Sequence, residues 1–144
     1  MVKNPVPQGK YVPAVKRNGF IFTAGMTPRK DGVLIQKGKV EAGVPLETYQ
    51  KAVEQAAKNA LTAAQNTLAP GVQIMQLVVY VNAGPGFTEH TALADFASAY
   101  LAEKLGPAGI SPRAALGMFA EGGRCGGIYC GVLCLAGAQI APIR

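Results

Sequence analysis

The sequence predicts an α+β fold in which two amphipathic helices pack on one face of a mixed β-sheet. Three observations carry this: an Asn-Gly turn between two short strand-like runs near the N-terminus, two long segments with apolar residues at helical spacing, and β-branched runs set between and after them. At 144 residues, 49% of them hydrophobic, the chain has the size of one domain spanning 1–144 and can close a core without metal or disulfide.

The first element is a hairpin. Tyr11 to Lys16 and Gly19 to Ala24 alternate in polarity, and the Arg17-Asn18-Gly19 turn between them suits a tight connection because Asn and Gly tolerate positive φ. A turn over Pro28 to Gly32, the run Val33-Leu34-Ile35 and a short strand or ordered loop from Gly38 to Gly43 follow. From Leu46 to Leu68 the residues Tyr49, Val53, Ala56, Ala57, Ala60, Leu61, Ala64 and Leu68 recur at three and four, which defines the buried face of a helix.

Pro70-Gly71 ends that helix, and Ile74 to Val81 is too short and too β-branched for anything but a strand. Thr88 is the expected N-cap of a second helix, with Phe87 stapled against Ala92 and an apolar stripe of Leu93, Phe96, Ala97, Tyr100, Leu101 and Leu105. Gly106-Pro107 stops it. Arg113 to Ala120 and Gly127 to Ala136 read as two strands separated by the glycine-rich turn at Glu121 to Gly127. Amphipathic helices of this kind need a sheet to cover them, which leaves the other sheet face as a surface between subunits.

Charged residues make up only 15% of the chain, so a partner copy is expected to cover part of its surface. The net charge of +6 could draw nucleic acid, but Lys10, Lys16, Arg17, Arg29, Lys30, Lys37 and Lys39 are scattered and form no stacking platform. The plainer reading is a mildly basic surface that aids solubility or attracts anionic metabolites. The N-terminal residues lack the apolar run of a signal peptide and no segment approaches the ~20 apolar residues that span a bilayer, so a cytoplasmic protein without membrane contact is expected. There Cys125, Cys130 and Cys134 are thiols, and their spacing lacks the close pairs of a zinc site.

Several runs resemble the reactive intermediate deaminase (Rid) family. They are Tyr11-Val12-Pro13-Ala14-Val15-Lys16 with Ile21-Phe22-Thr23-Ala24-Gly25-Met26-Thr27-Pro28, then Val79-Tyr80-Val81-Asn82, Pro85-Gly86-Phe87-Thr88-Glu89 and Ser111-Pro112-Arg113-Ala114-Ala115-Leu116-Gly117, in the family's order. The longer Asn82 to Phe87 loop looks most like a divergent branch. The resemblance implies a chorismate-mutase-like fold and a homotrimer with three pockets between subunits. There, imines or enamines derived from amino acids are hydrolysed to keto acids and ammonia without metal or organic cofactor. By the same resemblance Arg113 clamps the carboxylate of a small metabolite, Tyr11, Ala24 and Gly25 line the pocket, and the Ala115 carbonyl helps hold the attacking water.

The residues bear on this chemistry individually. A guanidinium such as that of Arg113 grips a carboxylate through two parallel hydrogen bonds. Imine hydrolysis asks the protein to position an already electrophilic carbon, orient a water and move protons. Where the family carries a last-strand glutamate for the proton work, this chain has Ile128-Tyr129-Cys130-Gly131-Val132, and no Asp or Glu follows Glu121. Three accounts stay open: Cys130 takes the position, Glu121 reaches in from the glycine-rich turn, or hydrolysis is lost and the pocket binds a ligand or works on a related imine. Phe87 is a candidate pocket wall, and His90, the only histidine, is a candidate acid or base. The alternatives to a general imine deaminase are a pathway-specific tailoring enzyme, a ligand-binding or protein-protecting trimer, and the ribonuclease activity sometimes attached to the family.

Overall fold

The computed structural model describes residues 2–68, 71–118 and 127–136, with backbone alone at 129, 130, 133, 135 and 136. The chain opens with strands β1 (Ala14–Arg17) and β2 (Phe20–Thr23). Asn18 and Gly19 between them have φ of 51° and 82°, the paired positive values of a type I′ turn. A second small hairpin joins β3 (Arg29–Lys30) to β4 (Val33–Leu34) through Asp31 and Gly32, φ 53° and 81°. The turn expected over Pro28 to Gly32 thus tightens to its last two residues, and Arg29 and Lys30 are strand.

The first long helix begins as a single 3-10 turn at Leu46–Tyr49 and continues as α1 (Gln50–Gln65). Its buried side is mostly alanine, with Ala52, Ala56, Ala57, Ala60, Ala63 and Ala64 all 2% exposed or less. Alanine has the best helix propensity and the smallest side chain compatible with it, so α1 lies close upon its neighbours at little entropic cost. Strand β5 (Val72–Asn82) runs through the middle of the molecule, and α2 (His90–Leu105) leads through a short 3-10 turn to β6 (Arg113–Met118). The last strand described is β7 (Ile128–Ala136).

Thr88 does not cap α2. The cap position is Glu89, with no side-chain hydrogen bond, and Leu93 N–H donates to the Glu89 carbonyl. Ala92 is exposed, so no staple forms with Phe87; the Phe87 ring meets His90 instead, edge to face at 5.1 Å. The stop at Pro70 falls outside the described residues, and α1 ends before it at Gln65.

The five-stranded sheet has the order β1-β2-β7-β5-β6, antiparallel throughout except for the parallel pair β5-β6. Both helices cover one face, where Ile21, Leu77, Val79, Val81, Ile128 and Cys134 are at most 1% exposed. Alternation sends the intervening residues to the other face. There Phe20, Phe22, Tyr80 and Leu116 are 38–51% exposed, an apolar surface that none of the described residues covers. The sheet with two helices on one side agrees with the fold the sequence predicts.

Candidate functional site

Arg113 opens β6 in register with the buried Leu77, so its side chain rises on the helix face. There it meets α2. Nη1 donates to Asp95 Oδ1 (2.8 Å) and Ser98 Oγ (2.9 Å), and Nη2 donates to the Thr91 carbonyl (3.2 Å). Three of the five guanidinium N–H groups are committed in this way, which fixes its plane and leaves two without a partner among the described residues. The partners Thr91, Asp95 and Ser98 stand at helical spacing on one side of α2. That polar stripe was readable in the sequence beside the apolar one, but nothing in its composition ties it to Arg113.

Along β6, every second residue of a parallel ladder turns both backbone groups to the neighbouring strand. Leu77 N–H donates to the Pro112 carbonyl (3.0 Å), so Pro112, Ala114 and Leu116 face β5. The backbone groups of Arg113 and Ala115 therefore face the other way, along the edge that β6 forms in the described sheet. Farther on, a Cβ built at Gly117 would lie 3.0 Å from His90 Nε2, which puts the imidazole directly over that glycine. Arg113, the Ala115 carbonyl, His90 and the buried Phe87 thus share the neighbourhood of β6 and the start of α2.

The remaining predicted residues lie elsewhere. Ala24 follows β2 with its N–H on the Pro13 carbonyl (2.8 Å), and the Ala24 carbonyl and Gly25 Cα lie 3.8 and 3.9 Å from the Cβ position of Gly131 in β7. Among the described residues nothing lies within 4 Å of a Cβ built at Gly25 itself. Tyr11 is half exposed, its hydroxyl accepting from Gln8 N–H (3.1 Å). From β2 to β6 the sheet order counts three strand spacings, roughly 14 Å, so within one chain this group does not meet Arg113. Cys130 is placed by its backbone alone, in register with Val79, and Glu121 and Cys125 lie outside the described residues.

Cys134 belongs to the core. It pairs in register with Ile21 and Ile74, is fully buried, and burial pushes its thiol up to about 12. Such a group is an inert hydrophobe near neutral pH. Tyr100 on α2 is also raised, by desolvation first and then by the charges of Glu54 and Glu103. Among the described residues no cluster of three His, Cys, Asp or Glu side chains could hold a metal ion, and no helix is long and apolar enough to cross a membrane.

The described residues form a small α+β protein whose mixed five-stranded sheet carries both helices on one face. The chain belongs to the Endoribonuclease L-PSP family, matching it over residues 1–108, a span that ends before Arg113. Solved structures of similar fold include RidA from a Psychrobacter species of Antarctic origin, 16% identical with TM-score 0.62 over 92% of this chain and 94% of that one. The protein Atu1372 of unknown function from Agrobacterium tumefaciens is 24% identical, with TM-score 0.80 over 91% of this chain and 85% of its own. TdcF of E. coli, solved with bound serine, is 14% identical with TM-score 0.64 over 92% of each chain. No curated protein matches the sequence.

Proposed function

We propose that the protein hydrolyses a small carboxylate-bearing imine or enamine to a carbonyl compound and ammonia, in pockets formed between the subunits of a homotrimer. The observation that carries this reading is the guanidinium of Arg113, oriented by Asp95, Ser98 and Thr91 beside a strand edge, with two donors unpartnered among the described residues. Family membership supports it, and so does the serine bound to a protein of the same fold, itself a small amino acid with a carboxylate. The apolar face bearing Phe20, Phe22, Tyr80 and Leu116 is where copies would associate. Association is also what the site needs, because Ala24, Gly25 and Tyr11 reach an Arg113 only if it belongs to another subunit.

In the reaction, water adds through oxygen to the imine carbon while the C=N electron pair moves to the protonated nitrogen. The carbinolamine then expels ammonia and leaves a keto acid. Arg113 holds the carboxylate and the Ala115 carbonyl accepts a hydrogen bond from the water. Cys130 and Glu121 are the two candidates for moving the proton, and Phe87 and His90 border the same edge. A pocket that binds without turnover is the second reading, favoured by the lack of any Asp or Glu after Glu121.

The test is ammonia release from freshly generated 2-iminopropionate by wild type, Arg113→Ala, Cys130→Ala and Glu121→Gln against buffer. Acceleration by wild type that disappears in Arg113→Ala is the expected result, and whichever of the other two loses activity identifies the proton carrier. If wild type fails to accelerate release while pyruvate still binds in an Arg113-dependent way, the protein is a binder and not a deaminase.

A further inference from the structure

On the helix side of the molecule, away from the bare sheet face, a cavity of about 430 Å³ lies between three segments. Its floor is the α1 stripe Gln55, Lys58, Asn59 and Thr62, its wall is the turn from Arg29 to Gly32, and the N-terminal segment closes the third side. The volume falls within the roughly 300–1,000 Å³ of small-molecule sites. The cover is tied down: Asn66, just past α1, donates through Nδ2 to the Val2 carbonyl (2.7 Å) and to Asn4 Oδ1 (2.8 Å). The wall is tied down as well, since Asn59 Nδ2 donates to the carbonyls of Thr27 (2.9 Å) and Arg29 (2.8 Å).

The lining is strongly cationic. Lys3, Arg29, Lys30 and Lys58 face a single carboxylate, Asp31. In a concave site such an excess of one sign concentrates anions. Arg29 adds a specific feature: Nη1 is spent on the Gly32 carbonyl (3.1 Å), but Nε is buried without an acceptor. Nε and Nη2 lie on the opposite edge of the guanidinium from that bond, the edge that grips two oxygens of one carboxylate or phosphate side-on. Nε is out of reach of solvent, so an oxyanion in the cavity meets it only after the Arg29 side chain turns, and a buried charged donor without a partner favours that turn.

We propose that this cavity binds a small polyanionic metabolite, a phosphate ester or a polycarboxylate, with Arg29 gripping one oxyanion and Lys3, Lys30 and Lys58 balancing the remaining charge. The site is separate from Arg113 and does not depend on the hydrolytic reading.

The experiment is calorimetric titration of the full chain with pyrophosphate and, separately, with citrate at one fixed ionic strength. Wild type should bind at least one of them, with Kd about tenfold weaker in Arg29→Gln and about three- to fivefold weaker in Lys58→Gln. Lys58 is exposed on α1, so its variant folds even where Arg29→Gln loosens the 29–34 hairpin. Arg113→Ala should keep this binding. A response to pyrophosphate alone identifies a phosphate ester, and one to citrate alone a polycarboxylate. Binding of neither anion, equal binding by wild type and Lys58→Gln, or binding lost in Arg113→Ala would overturn the assignment.

Discussion

Replacing Asp95 with alanine separates two roles for Arg113, a ligand anchor and a pin between β6 and α2. The Asp95 carboxylate accepts a 2.8 Å bond, but its side chain is 68% exposed against 17% for Arg113. Water screens a pair of this kind, so the attraction is worth about 0.5–1 kcal/mol. Ser98 and the Thr91 carbonyl hold the same guanidinium through two further bonds and should keep it in place. Asp95→Ala is therefore expected to lower the unfolding free energy in urea by less than ~1 kcal/mol, and a cycle with Arg113→Ala to return a coupling of about 0.5–1 kcal/mol. Under the proposed function Asp95 also competes with the incoming carboxylate. Its removal should tighten pyruvate binding by up to about fivefold, the affinity equivalent of that coupling. Pyruvate binding that weakens, or a coupling well above ~2 kcal/mol, would show that the pair is a structural unit and that the guanidinium is not offered to a ligand.

Further expectations follow from the core and the bare sheet face. Because burial raises Cys134 from 9.0 to about 12, the unfolded chain loses this proton first, and stability falls as pH climbs between those values. Wild type should lose about 1.4 kcal/mol per pH unit above 9 relative to Cys134→Ala, and parallel pH profiles for the two proteins would refute this. A Cβ at Gly109 would collide with the main-chain carbonyl of Leu101, so Gly109→Ala should lower thermal stability by about 2 kcal/mol or more; an unchanged melting temperature would contradict the packing. Phe22→Glu, on the face left open among the described residues, should leave helix content intact and convert the proposed trimer to monomers in sedimentation, whereas an unaltered oligomer would place the interface elsewhere.

The elements set by local chemistry were legible in the sequence, and those set by distant partners were not. Asn18-Gly19 dictates its turn through two positive φ values, and the spacing of Val53, Ala56, Ala57, Ala60 and Ala64 dictates the buried face of α1. The start of α2 was misplaced because Thr88, although a good cap by type, is followed by backbone that turns helical only at His90. Strand order was beyond reach: alternation says which residues share a face, but not that β7 lies between β2 and β5. Of the candidate site, Arg113 at the start of a strand was legible, but its partners Asp95 and Ser98 enter only when α2 folds over β6.

The position of β7 has a consequence for how the protein must be made. Its neighbours β2 and β5 emerge from the ribosome long before it, and until it arrives each presents a bare edge of backbone donors and acceptors. A nascent chain stalled before Ile128 holds two half-sheets, the β1-β2 hairpin and the β5-β6 pair, with nothing to stitch them together. Their joining waits on a strand over a hundred residues from Phe20, whose register partner is Leu135. Synthesis therefore passes through a window in which exposed edges invite wrong pairing, and completion of β7 closes it.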